Sequence, residues 1–383
     1  MIAAIASALQ LLAQNPTLVL FGRGRLDELG EAARREGASR ILLVTDPGIV
    51  AAGHVDRAEA SLRRAGLTAH VFDGAAENPT TEHVAAGVEA AQQYGVDFLV
   101  GLGGGSSMDC AKGINLIHTN GGHMADYWGE NKTSKPMLPM IDVPTTAGTG
   151  SEAQSFALIT DPVTHQKMAC GDRRTPSQGG LRPRIAILDP ALTVSQPTRV
   201  AAAAGIDAIA HAVETAGTTA RNSISREFSR QAWQLLSEAY EMAMGQSVNE
   251  DAGGRMLLGA HLAGAAIERS MLGAAHACAN PLTARFGLAH GVAVGLMLPH
   301  VVRFNAETGM NPYSDLCDDA DLLATRLEAF LEVGRLPRRL SECGVAAADL
   351  APLGTLACGQ WTARFNPRPV AEADLVDLYR RAL

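Results

Sequence analysis

The sequence predicts an α/β domain on a parallel, doubly wound sheet, followed by an all-α domain, with the boundary at residues 189–190. Three observations predict it. Short apolar runs alternate with amphipathic stretches in the first half, a glycine cluster follows the fourth run, and the alternation stops after Leu188-Asp189-Pro190. Strands alternating with helices of that length make right-handed βαβ units and hence a parallel sheet. In chain order, Thr17–Phe21 reads as a strand and Leu26–Arg35 as a helical segment. Arg40–Val44 and Ala69–Phe72 read as the second and third strands, Thr80–Tyr94 as a helix, and Asp97–Gly101 as the fourth strand. Beyond Pro190 the pattern turns helical, rich in Ala and Leu with few β-branched runs, and Pro190 and Pro197 mark the hinge.

At 383 residues the chain is too long for one small domain. A net charge of -8 without any basic stripe argues against nucleic acid or an anionic membrane as the main partner. The six cysteines are scattered and form no CxxC pair, so they read as reduced thiols. The apolar opening from Met1 to Ala6 lacks the basic flank of a signal peptide, and Gln10 and Gln14 interrupt it; a short amphipathic helix is the expectation. No apolar stretch has the length of a bilayer span, and the cytoplasm is the expected location.

Two loops carry ligand-binding chemistry. Gly101-Leu102-Gly103-Gly104-Gly105-Ser106-Ser107 follows the fourth strand. Glycines there admit a phosphate close to the backbone, and a helix opening near Ser106 aims free N–H groups at it. Read alone, the same glycines suit a tight turn equally well. Asp46 ends the second strand, where a carboxylate can accept from an adenosine ribose and repel a 2′-phosphate, or simply begin the turn before Pro47. The second loop, Pro144–Glu152, offers hydroxyls to the other side of such a ligand, with Lys167 a candidate cation downstream.

The metal-ligating candidates lie in the second half. Asp207 and His211 are four apart, so they share one helix face and can chelate one divalent ion. His276 and His290 each lie in an apolar stretch, where an imidazole needs a partner and a metal is one strong solution. Three His and one Asp leave room for a substrate oxygen on Fe²⁺ or Zn²⁺. Each His alone reads as readily as a hydrogen-bonded core residue.

Taken together, Asn78-Pro79-Thr80, Gly103–Lys112, Pro144–Glu152, Gly205–Glu214, His276–His290, Pro299-His300 and Asn366-Pro367-Arg368 resemble the iron-containing (group III) alcohol dehydrogenase family. The resemblance runs from about Phe21 to Arg368. It implies a dehydroquinate synthase-like architecture: an NAD-binding α/β domain (1–189), a helical metal-binding and substrate domain (190–383), and a catalytic cleft between them. It implies Fe²⁺, with Zn²⁺ the alternative, on Asp207, His211, His276 and His290. It implies NAD, rather than NADP, at Asp46, Asn78, Gly105, Ser106, Thr145, Thr146, Thr149 and Lys167, with Gly104 and Asp109 in the same loop. The implied reaction is hydride transfer between nicotinamide and a small alcohol or aldehyde, in a homodimer. A same-fold enzyme without net redox and a non-catalytic nucleotide-binding protein are the competing readings. One departure stands out: Asn280 occupies the place of a histidine that many members use to relay a proton, and is expected to line the cleft. Arg173, Arg174 and Arg269 are also unusual; if one faced the cleft, an anionic aldehyde would become attractive, although surface exposure is the ordinary fate.

Overall fold

The computed structural model describes residues 2–164, 166–245 and 249–383. It divides into an α/β unit, Leu9–Thr146 with Gly150–Gln196, and a helical unit, Met1–Ala8 with Ala147–Thr149 and Pro197–Leu383. The expected N-terminal helix is present as α1 (Ile2–Leu12). No described helix is long and apolar enough to cross a membrane.

The α/β unit runs β1 (Leu18–Phe21), α2 (Leu29–Arg35), β2 (Arg40–Val44), α3 (Pro47–Ala51), α4 (His54–Arg64), β3 (Thr68–Phe72), α5 (Thr81–Tyr94), β4 (Phe98–Gly103) and α6 (Gly105–Asn120). It continues through β5 (Gly129–Glu130), β6 (Met140–Pro144), β7 (Phe156–Thr160), β8 (Lys167–Gly171) and β9 (Ile185–Leu188). Six strands form one all-parallel sheet in the order β1-β9-β6-β4-β2-β3, as the alternation predicted. The order reverses between β2 and β4, and ligands of open sheets bind at such a switch point, beyond the carboxyl ends of the strands. Side chains of the central strands are buried on both faces: Ile41 and Leu43 join one core cluster, Leu42 and Val44 the other. The remaining three strands make a small sheet, β5-β8-β7, that the apolar pattern had not separated.

The segment expected to be helical from Leu26 to Arg35 begins instead as a 3-10 turn, Arg25–Glu28. Its cause is Asp189, fully buried at the end of β9, whose carboxylate accepts from Gly24 N (3.0 Å) and Leu26 N (3.2 Å). A second buried charge, Lys112 on α6, donates to Ser151 O (2.5 Å), Ser151 Oγ (2.8 Å), Gln154 O (2.9 Å) and Phe156 O (3.2 Å). That satisfies an ammonium without water and ties α6 to the end of the Pro144–Glu152 loop and the chain just after it.

In the helical unit, α7 (Thr198–Gly217), α8 (Ser223–Ala243) and α9 (Glu250–Arg269) pack on one another. α10 (Ala274–Phe286) packs against α11 (His290–Ala306), which also contacts α7 and α12 (Ala320–Val333). α13 (Leu350–Cys358) and α14 (Glu372–Ala382) pair with each other, and α13 also rests on α10. Helical periodicity after Pro190 is realised from Thr198 onward, after a 3-10 turn at Pro190–Ser195.

One buried acid opposes the fold. Both carboxyl oxygens of Asp142, on β6, are buried without a hydrogen-bond partner. Burial pushes its pKa well above the ordinary value, against the pull of Lys112. An acid whose pKa is raised on folding contributes stability that is complete below its unfolded pKa and is lost as pH rises towards its folded pKa. Asp142→Asn is therefore expected to melt higher than the native chain at pH 8, with the gap shrinking at pH 5, in thermal unfolding followed by circular dichroism. An equal gap at both pH values would contradict this account.

Candidate functional site

Two groups of polar residues assemble, one in each unit. In the α/β unit, the glycine-rich loop closes β4 and opens α6. Gly103 has φ +150°, and a Cβ there would lie 2.5 Å from Ser107 Oγ, so only glycine fits. Gly104 is the N-cap of α6 with no side-chain cap, which leaves first-turn N–H groups at Gly105 and Ser106 available to an anion.

Asp46 lies beside this loop. Its Oδ1 accepts from Gly48 N (2.9 Å) and Ile49 N (3.2 Å), capping α3, and its Oδ2 accepts from Ser107 Oγ (2.9 Å). The turn reading of Asp46 is seen directly in these bonds, and the same carboxylate lies at the switch point of the sheet. Asn78, at φ +53°, donates its N–H to Ser106 Oγ (3.4 Å) and accepts from Lys167 Nζ (3.2 Å) on its side-chain oxygen. Thr145 donates its N–H to Gly103 O (2.9 Å), and Thr146 Oγ1 lies 3.5 Å from where a Cβ on Gly104 would be. Asp46, Asn78, Gly104, Gly105, Ser106, Thr145, Thr146 and Lys167 therefore gather around one helix start. Asp109 points elsewhere, accepting from Ser151 Oγ at 2.6 Å in a buried setting beside Lys112. Thr149 belongs to the helical unit.

In the helical unit, α7 presents Asp207, His211 and Glu214 at i, i+4 and i+7, one face of the helix. α10 contributes His276 and the first turn of α11 contributes His290. The Nε2 atoms of His276, His211 and His290 lie 3.6, 3.7 and 3.9 Å from Asp207 Oδ1. The rings of His211 and His276 stack with centroids 4.9 Å apart. Sequence spacing could pair only Asp207 with His211; the packing of α10 and α11 brings in the other two.

These separations are too long for hydrogen bonds. Asp207 Oδ1 and His276 Nε2 are buried, and neither has a hydrogen-bond partner. Ligands about 2.0–2.2 Å from one ion stand roughly 3–4 Å from each other, which is the spacing seen. Asp207, His276 and His290 offer ligand atoms all within 4.8 Å of one another, with His211 beside them. An oxygen and three imidazole nitrogens suit Fe²⁺ or Zn²⁺. The donor set fits a divalent ion.

The electrostatics of the bare donors agree. Burial favours a neutral Asp207, but the imidazoles of His211, His276 and His290 outweigh it and hold the carboxyl well below the usual carboxylate range. Burial lowers the pKa of His211. His276 is pushed up to about 9: burial opposes its charge, and Glu214 and Asp207 overcome that opposition.

Glu214 is the residue that sequence reasoning missed. It is buried, hydrogen-bonds His276 Nδ1 with Oε2, and accepts from Ala275 N (2.8 Å) with Oε1. Its i+7 spacing from Asp207 was the available signal. Asn280, one turn beyond His276, is half-buried and donates from Nδ2 to Gln360 Oε1 (2.9 Å). The three unusual arginines are engaged: Arg173 with Glu130, Arg174 with Asp172, and Arg269 over the Phe228 ring. They lend no support to an anionic substrate.

Glycine also sets the approach of the helices. A Cβ on Gly291, next to His290, would collide with Ala203 O on α7 and lie 3.1 Å from Asp207 Cβ. Only a glycine lets the start of α11 come that near to α7.

Comparison with known proteins places this arrangement. Residues 16–190 match the family described as iron-containing alcohol dehydrogenase, and residues 201–383 match the C-terminal part of the Fe-containing alcohol dehydrogenase family. The chain is 39% identical over 291 residues to alcohol dehydrogenase 4 of Schizosaccharomyces pombe, covering 76% of this chain and 68% of that protein. It is 30% identical over 381 residues to the NAD-dependent methanol dehydrogenase of Bacillus methanolicus, covering 96% and 98%. Among solved structures, a 1,3-propanediol oxidoreductase superposes with a TM-score of 0.89 at 29% identity, covering 96% of this chain and 98% of that one.

Gly291→Ala is expected to push α11 away from α7. Overpacking of this kind costs about 1–3 kcal/mol, visible as a lower urea midpoint, and separates His290 from Asp207, so that Co²⁺ titration of the variant shows weaker binding. Native-like values in both measurements would refute the close-approach argument.

Proposed function

The chain belongs to the iron-containing alcohol dehydrogenase family of oxidoreductases, and from that premise we propose that it transfers hydride between the nicotinamide of NAD and a small alcohol or aldehyde, with a divalent ion held by Asp207, His211, His276 and His290. The observation that carries the reading is the convergence of three imidazole nitrogens on one buried carboxylate oxygen. An ion bound there supplies a Lewis acid, which polarises a carbonyl or lowers the pKa of an alcohol. Fe²⁺ is the proposed metal and Zn²⁺ the alternative.

The remaining roles belong to the chain itself. The first turn of α6, with Gly104, Gly105 and Ser106, binds the pyrophosphate of the cofactor through backbone N–H groups. Lys167 and Asn78, bonded to each other, flank that phosphate site, and Thr145, Thr146 and Thr149 add hydroxyls to the cofactor. Gly103 keeps Ser107 close enough to hold Asp46, whose carboxylate meets the adenosine ribose and repels a 2′-phosphate. Asp109 accepts from Ser151 and so braces the loop that follows β6. Asn280, tied to Gln360, offers hydrogen bonds but exchanges no proton near neutral pH, so the substrate proton does not pass to a side chain at this position. The proposed assembly is a homodimer and the proposed location the cytoplasm, in keeping with six unbridged cysteines.

Three measurements test this. With a panel of short alcohols and aldehydes and NADH absorbance as the signal, His276→Ala and Asp207→Ala are expected to abolish turnover, while NAD binding by calorimetry stays close to native. Full activity in a metal-free preparation would sink the proposal. Net NADH formation or consumption by the native chain also separates it from a same-fold enzyme without net redox. In kcat/KM, the native chain is expected to favour NADH over NADPH, and Asp46→Ala to narrow that preference by about tenfold or more, since like charges brought together cost several kcal/mol.

A further inference from the structure

His276 has two ring nitrogens, and the structure gives them different surroundings. Nε2 lies 3.6 Å from Asp207 Oδ1 and has no hydrogen-bond partner, while Nδ1 is hydrogen-bonded to Glu214 Oε2. A neutral imidazole carries one N–H, and whichever nitrogen carries it cannot ligate a metal. A carboxylate only accepts, so the nitrogen facing Glu214 must be the one that donates. In the neutral ring, the form able to ligate a metal, the lone pair is thereby left on Nε2, on the side of Asp207.

Glu214 is itself held. It belongs to the same face of α7 as Asp207 and His211, and its other oxygen accepts from Ala275 N (2.8 Å) in the first turn of α10. The neighbouring first-turn donor, Ala274 N, goes to Asn366 Oδ1 (3.3 Å). A carboxylate at a helix N-terminus meets free N–H groups and the positive dipole end. A Cβ on Gly273, the N-cap, would stand 3.0 Å from Glu214 Oε1 and 3.1 Å from Asn366 Oδ1, so the approach of the two side chains depends on the missing side chain. One carboxylate thus fixes both the entry of α10 and the ring that α10 carries.

We infer that Glu214 is a positioning residue, one that holds His276 in the Nδ1–H tautomer and aims Nε2 at the ion. The inference rests on the reading that His276 is a metal ligand. Partners of this kind tune affinity: their loss commonly weakens metal binding about 10–100-fold.

Glu214→Gln tests it with little change in shape. The amide oxygen can keep Ala275 N, but the amide N–H₂ then faces Nδ1 and donates, which moves the ring proton to Nε2. Titrating Co²⁺ into metal-free protein by calorimetry, we expect the variant to bind at least about tenfold more weakly than the native chain. Its melting temperature without metal should stay near native, and Glu214→Asp should recover part of the affinity. A smaller loss than tenfold overturns the inference. A second measurement needs no variant. Long-range ¹H–¹⁵N spectra of histidine-labelled native protein loaded with Zn²⁺ should show the His276 proton on Nδ1, and a proton on Nε2 overturns it. Should the native chain bind no metal at all, it is the ligand assignment itself that fails, an outcome the variant cannot mimic.

Discussion

The buried carboxylate of Asp207, ringed by imidazole nitrogens, is the constraint on which the helical unit is organised. An ionised carboxylate out of water costs several kcal/mol unless charge or hydrogen bonds compensate it. Among the described residues Asp207 Oδ1 has no hydrogen-bond partner, and three imidazole nitrogens stand 3.6–3.9 Å from it. Such a set is unfavourable as a dry, neutral core and favourable around a cation. The proposed ion therefore explains both why three histidines gather and why they stop short of hydrogen bonding to the acid. It also explains the packing: three helices, α7, α10 and α11, are brought together on the same small volume, and glycines at 273 and 291 permit the approach.

The α/β unit solves a different problem with the opposite charge. There the ligand is expected to be the anion, and the fold offers backbone N–H groups at the start of α6 instead of a cage of side chains. Asp46 is the exception, and it is the group proposed to give selectivity. Its oxygens are already occupied by α3 and Ser107, which fixes the carboxylate at the switch point without burying it. Positioning by secondary structure and recognition by the same group need not conflict, because each carboxylate oxygen accepts more than one hydrogen bond.

The two units share one device, the buried charge that holds a loop. Lys112 gathers four oxygens, two from Ser151 in the Pro144–Glu152 loop and two from the chain just after it, and Glu214 gathers a ring nitrogen and a helix N–H. Each makes a loop or helix end rigid at the point where a ligand is proposed to bind. Asp142, with no partner for either oxygen, shows the cost when such a group is left out of a network.

Much of this was legible in one dimension. The four strands of the first half, the helix from Thr81, the glycine-rich loop and the Asp207–His211 pair all follow from spacing, since strand period, helix period and backbone freedom are local properties. β6 and β9 escaped notice although they are as long as β2 and β1. A strand buried on both faces shows no alternation, and β6 carries Asp142 and Pro144, which look like turn residues. The three-stranded sheet and the turn that Asp189 imposes at Arg25–Glu28 were likewise set by distant partners. The sequence by itself determined which residues could ligate a cation and which loop could cradle a phosphate. Only the tertiary structure decided that His276 and His290 reach the oxygen of Asp207, and that Glu214 stands behind His276. Convergence of segments tens of residues apart depends on helix packing, and chain spacing carries no record of it.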